Sequence, residues 1–152
     1  VPGLIILAEV RGPEQTWVSA DGVYLVISNG KIIKTSGLNN NLTQSILPKI
    51  SFEGLREKQP YNFLYYLSYD KPFLNDLKLE ARLIKLGKEE VKILDSIVLL
   101  HVVEETLSND YIGWKIRNKY WIDDEGFVWK SIQNISPRLP PFVIEVTKKP
   151  AI

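Results

Sequence analysis

Apolar and polar residues alternate with a period of two along most of this chain. From Tyr111 onward, Ile112, Trp114, Ile116, Tyr120 and Ile122 interleave with Lys115, Arg117 and Lys119. On a strand that spacing sends aromatic and branched side chains to one face and cations to the other; a helix would scatter both around its circumference. Asp123-Asp124-Glu125-Gly126 follows as a turn. Beyond it Phe127, Trp129 and Ser131 alternate with Val128, Lys130 and Ile132, which predicts a hairpin.

The same pattern recurs upstream. Val23–Ser28 and Lys31–Thr35 flank Asn29-Gly30, and Asn-Gly between two such runs predicts a type I′ hairpin because both central residues need φ > 0. Leu4–Arg11 reads as an opening strand and Trp17–Ser19 as a short one before Asp21-Gly22. Tyr61–Tyr69 is aromatic and β-prone. Leu77, Leu79, Ala81 and Leu83 alternate with Lys78, Glu80 and Arg82, and Gly87-Lys88 is expected to end that strand, with a short one near Val91–Leu94. Ile97–Glu105 is branched on both faces and suits a central strand. Phe142–Lys148 closes the set after Pro137, Pro140 and Pro141. Leu42–Lys58 is the least regular stretch, a long loop or one with a short helix near Thr43–Leu47. About nine strands joined by short turns predict an all-β fold. The expected architecture is an antiparallel meander forming a curved sandwich, barrel or half-barrel with little helix, one β domain over residues 1–152.

Composition sets the bounds. Hydrophobic residues are 45% of the 152 and charged residues 24%, enough for a core without staples. Nineteen Lys and Arg against 18 Asp and Glu leave a formal charge of +1, with no concentrated basic block, so no nucleic-acid partner is expected. The absence of cysteine excludes disulfides and thiolate chemistry in this chain. The chain opens Val1-Pro2-Gly3 and lacks Met, which reads as a processed or truncated product, one from which a signal peptide or anchor could have been removed unseen. Its apolar runs fall far below the ~20 residues of a membrane helix.

Candidate chemistry is sparse. His101, the one histidine, sits mid-strand on the face of Ile97, Leu99 and Val103, where a structural role is expected; a metal site wants several converging ligands. Asp123, Asp124 and Glu125 at a hairpin tip lack the spacing of a calcium loop and read as a solvated turn. The nine glycines are dispersed, with no phosphate-cradling motif. No catalytic residue, metal or cofactor is therefore expected, and the domain is expected not to be an enzyme. The aromatics are the suggestive class: Trp114 and Trp129 fit a core, whereas Trp121 shares the polar face of Lys119 and Arg117, and Trp17 lies on a short strand. Asn39, Asn40 and Asn41 form an unusual triplet that can meet ligand hydroxyls or cap a turn. Asn39, Asn40, Asn41, Trp121 and Trp17 are thus the candidate binding residues.

The stretch from Trp17 through Asn29-Gly30-Lys31 and Lys34-Thr35 to Leu38-Asn39-Asn40-Asn41-Leu42 resembles the YjbF/GfcB family of capsule-operon lipoproteins. So does the C-terminal part, in Trp114–Asn118, Tyr120-Trp121-Ile122-Asp123, Gly126 and the Pro141–Pro150 region. The resemblance implies an envelope protein encoded with group 4 capsule or exopolysaccharide genes, placed on the periplasmic face of the bacterial outer membrane. Its membrane contact would run only through an N-terminal lipid anchor outside this sequence. Partners implied are polysaccharide or capsule-secretion proteins. An alternative comes from Trp121–Gly126, which is similar to an element of LolA and LolB: a lipid or lipoprotein carrier, which requires an apolar cavity.

Overall fold

The structure, a computed structural model, describes residues 3–150. Strands β1 (Ile5–Arg11), β2 (Glu14–Ser19), β3 (Tyr24–Ser28) and β4 (Lys31–Ser36) form a four-stranded antiparallel sheet in chain order. Strands β5 (Leu42–Ile46), β6 (Pro60–Asp70), β7 (Phe73–Ile93), β8 (Ser96–Asn109), β9 (Trp114–Ile122), β10 (Val128–Gln133) and β11 (Phe142–Glu145) form a seven-stranded sheet, again in chain order. The second sheet curls into a half-barrel, and the first closes over its inner face. The fold is all-β and antiparallel, as the alternation predicts.

The core follows from parity. Leu77, Leu79, Ala81 and Leu83 of β7, Val103 and Leu107 of β8, Tyr120 and Ile122 of β9, and Tyr65, Leu67 and Tyr69 of β6 point inward and meet Leu25 and Ile32 of the small sheet. Fully burying one such aliphatic side chain contributes about 1.5–3 kcal/mol. The β3–β4 turn has Asn29 at φ 50° and Gly30 at φ 80°, the two positive angles expected of Asn-Gly. This turn packs directly on β10: a Cβ on Gly30 would lie 2.2 Å from Val128 Cγ2. Gln133 clamps it there, its Nε2 donating to the Gly30 carbonyl at 2.9 Å and its Oε1 accepting from the Ile32 N–H at 2.9 Å.

Three expectations are corrected. Eleven strands occur among the described residues rather than about nine. The segment Thr43–Leu47 holds no helix; it lies in and just after β5, paired with β6 from Leu42↔Tyr69 to Ile46↔Tyr66. Pairing with a neighbour made that strand, because Thr43 and Gln44 face solvent and give no apolar alternation. The single 3-10 turn among the described residues, Phe52–Gly54, comes later and packs Phe52 on Tyr120 with ring centroids 4.9 Å apart. Thirdly, Gly87-Lys88 does not end β7. The ladder passes from Lys85↔Val103 to Lys88↔His101, so Leu86 and Gly87 oppose Val102 alone as a bulge. One extra residue flips the parity of β7. Val91 and Ile93 therefore turn to the outer face, where with Leu100 and Val102 they pack on Trp121 in a second apolar cluster.

Candidate functional site

Inside the half-barrel the alternation carries one acid at an inward position. Glu105 is fully buried between Val103 and Leu107. Its Oε2 accepts from Tyr65 Oη at 2.6 Å and from Lys31 Nζ; its Oε1 accepts from Asn118 Nδ2 and Tyr120 Oη, each at 3.0 Å. Lys31 is the residue after Asn29-Gly30, so the docked turn delivers its ammonium from the small sheet into the large one. There it also donates to Tyr65 Oη at 2.9 Å and lies 4.1 Å from that ring's centroid. Burial and the Glu105 charge push both the Tyr65 and the Tyr120 hydroxyls far above the ordinary phenol range, so both stay protonated donors. Sequence reasoning did not single out this cluster, although an acid at an inward parity position was the available signal.

Burial opposes the Glu105 charge, but the Lys31 ammonium and the converging hydrogen bonds hold the carboxyl below the usual carboxylate range. A carboxyl depressed in the fold contributes stability that is fully present above the unfolded value of ~4.3 and is lost as pH falls through the folded value. Urea midpoints measured from pH 7 to pH 3 are therefore expected to fall below about pH 4.3. In Glu105→Gln this acid limb should be shallower; an identical slope in the variant would refute the assignment.

The structure does not bring the five candidate binding residues together. Asn40 is buried, with Nδ2 donating to the Lys71 carbonyl at 3.0 Å and Oδ1 accepting from Ser136 Oγ. Asn41 Oδ1 accepts from the Leu38 N–H at 3.0 Å and from Thr35 Oγ1 at 3.2 Å, and its Nδ2 donates to Asp70 Oδ2 at 3.0 Å. These two side chains therefore tie the β4–β5 loop to the β6–β7 turn and are spent on structure. Asn39 is exposed. Trp17 is half-buried on β2, its Nε1 donating to Gln15 Oε1 at 3.2 Å.

Trp121 does line a site. It is buried at the floor of an open groove of about 600 Å³ on the outer face of the large sheet, between the far end of β7 and the chain leaving β11. Trp121 keeps the face of Lys119 but is buried there, because the parity flip in β7 brings Val91 and Ile93 onto it. Trp121 Nε1 donates to Glu89 Oε2 at 2.9 Å. That bond first, and Lys119 as well, hold the Glu89 carboxyl below the usual range. The ammoniums of Lys119 and Lys130 stand 4.8 and 5.3 Å from the indole centroid, paired to Glu89 and Glu145 at 3.4 and 3.5 Å. Such long, solvent-facing ion pairs contribute only about 0–1 kcal/mol, so their partners exchange readily for those of a ligand.

His101 has its Nε2 at 2.8 Å from Asp124 Oδ1, while its Nδ1 is buried without a partner. The Asp123 carboxylate closes its own turn, accepting from the Glu125 and Phe127 N–H groups and from Trp129 Nε1. Within the half-barrel the void beside Glu105 measures about 30 Å³. Ligand cavities run from ~300 Å³ upward. This void falls far short of the apolar cavity that a lipid or lipoprotein carrier requires.

A family model described as group 4 capsule polysaccharide lipoprotein GfcB, YjbF matches residues 2–147. Two Escherichia coli K12 proteins are similar in sequence. The uncharacterized lipoprotein YjbF is 28% identical over 142 residues, covering 85% of this chain and 61% of that protein. The uncharacterized lipoprotein GfcB is 26% identical over 153 residues, covering 97% of this chain and 70% of that one. The chain thus spans less than two thirds of the length of the first. The crystal structure of the hypothetical lipoprotein YmcC from E. coli K12 shares the fold, with a TM-score of 0.81 at 24% identity over 97% of this chain and 78% of that one.

Proposed function

The chain belongs to the YjbF family of group 4 capsule polysaccharide lipoproteins, and from that premise we propose that it is a non-catalytic polysaccharide-binding component of capsule production. On this reading it works at the periplasmic face of the outer membrane and seats a stretch of the polymer in the groove over Trp121. The observation that carries the proposal is the make-up of that groove: an indole floor edged by Glu89, Lys119, Lys130 and Glu145 in two exchangeable ion pairs. A sugar ring offers an apolar C–H face and a rim of hydroxyls. The apolar lining of Val91, Ile93, Leu94 and Trp121 meets the first, and the alternating ammonium donors and carboxylate acceptors accept the second. An open groove suits a chain polymer better than an enclosed pocket would.

Titration with oligosaccharides cut from the producing bacterium's capsule should shift the Trp121 indole N–H resonance. Lys130→Ala, which removes one ammonium from the edge of the groove, should weaken binding about tenfold, equivalent to ~1.4 kcal/mol. An indole resonance that stays put up to millimolar oligosaccharide would end the proposal.

A further inference from the structure

The β7–β8 hairpin runs past the end of its other neighbour. The β8–β9 ladder begins at His101↔Ile122, so Ser96–Leu100 pairs with β7 on one side and with no strand among the described residues on the other. In an antiparallel strand, alternate residues turn their N–H and C=O groups to each side, so this stretch presents unpaired backbone to the open side. The side chains above that edge are apolar and uncovered: Ile97 is 70% and Leu99 57% exposed, with Leu94 at the turn 65% exposed. Both β8 residues keep the inward parity of Val103, but they lie beyond the rim of the core.

Native sheets normally blunt their edges with charge, bulges or brevity. The other edges here do so. β1 carries Glu9 and Arg11 and a register shift, β5 carries a shift after Leu42, and β11 is four residues long. Ser96-Ile97-Val98-Leu99-Leu100 has no charge, no proline and no shift.

We propose that this edge receives an extended polypeptide segment as an added strand, its alternate apolar side chains resting on Ile97 and Leu99. The unpaired backbone selects the occupant. A lipid bilayer would leave those N–H and C=O groups unsatisfied, whereas a strand satisfies them. A second copy of the chain is also a poorer fit, because five residues a side fall well below the ~20–30 of a standard interface, while a linear segment needs no more. Leu94 at the turn borders both surfaces, but Ile97 and Leu99, on which the strand proposal rests, line no part of the groove, and the two proposals fail independently.

The test uses hydrogen exchange on the whole chain with a synthetic ten-residue peptide alternating valine and threonine, and a control with proline at each threonine. At about 1 mM peptide, alternate amides of Ser96–Leu100 should exchange about tenfold more slowly, and the proline peptide should do nothing. Leu99→Lys, and separately Ile97→Lys, should abolish the protection with Tm unchanged, since both side chains already face water. The proposal is overturned by absent protection or by equal protection from the proline peptide. Protection by phosphatidylglycerol vesicles in place of the peptide, or a dimer in sedimentation equilibrium that Leu99→Lys dissolves, would overturn it in favour of lipid or self-association.

Discussion

Lys31→Met is expected to lower the unfolding free energy by about 3–5 kcal/mol, because it leaves Glu105 charged and buried without its counter-ion. The side chain of Lys31 is 13% exposed and that of Glu105 1%, so neither end of the pair is relieved by solvent. Tyr65, Tyr120 and Asn118 still donate to the carboxylate in the variant, which sets the loss by charge rather than by hydrogen-bond number. The double variant Lys31→Met/Glu105→Gln removes both charges and keeps an acceptor for the phenols. It should recover at least half of the loss, since neutral replacements of buried pairs are often close to harmless. Urea unfolding of the two single variants and the double one closes the cycle. A loss below about 1 kcal/mol for Lys31→Met, the range of surface pairs, would show that the pair is hydrated and does not hold the sheets together.

The second large effect is expected at Gly30. A methyl group there meets Val128 at 2.2 Å in a residue already at φ 80°. The left-handed backbone costs an alanine about 1–2 kcal/mol, and the overlap adds about 1–3 kcal/mol. Gly30→Ala is therefore expected to lose about 2–5 kcal/mol in total. Val128→Ala in the Gly30→Ala background removes the Cγ2 at 2.2 Å but leaves the Val128 Cβ at 2.6 Å, so it should return only part of the overlap cost. A cycle with no coupling between residues 30 and 128 would mean that the turn stands off β10, and the Gln133 clamp would then need another explanation. Both variants act at the same junction between the sheets, by charge in one case and by shape in the other.

The strands were legible wherever one face is buried and the other wet, as in Leu77–Leu83 and Trp114–Ile122, because burial writes a period of two directly into the residues. The Asn29-Gly30 turn was legible for an equally local reason, the φ angles it needs. β5 was not, since its outward residues are polar and its only reason to be a strand is the adjacent β6. The run through Gly87 was misjudged because glycine weakens a strand and also marks a bulge, and only the partner strand decides between them. The same ambiguity reaches Trp121, which shares a face with Lys119 but owes its burial to Val91 and Ile93 changing sides. The asparagine triplet shows the converse, since Asn40 and Asn41 are distinctive in sequence for bonds to Ser136 and Asp70, which lie far along the chain. Glu105 sits in an inward row, and a charge in such a row is the earliest visible trace of an internal ion pair.

Which way a side chain faces on a strand is a binary digit, and an inserted residue inverts every digit after it on that strand alone. The Leu86-Gly87 bulge does this to β7 while β8 keeps its original count. The apolar packing of Val91 and Ile93 beside the tryptophan is thus written by one insertion, whereas Ile97 and Leu99 on β8 keep the phase of Val103. Removing one residue at the base of the hairpin would return Val91 and Ile93 to the inner face and strip the apolar packing from the tryptophan, with β8 left in phase.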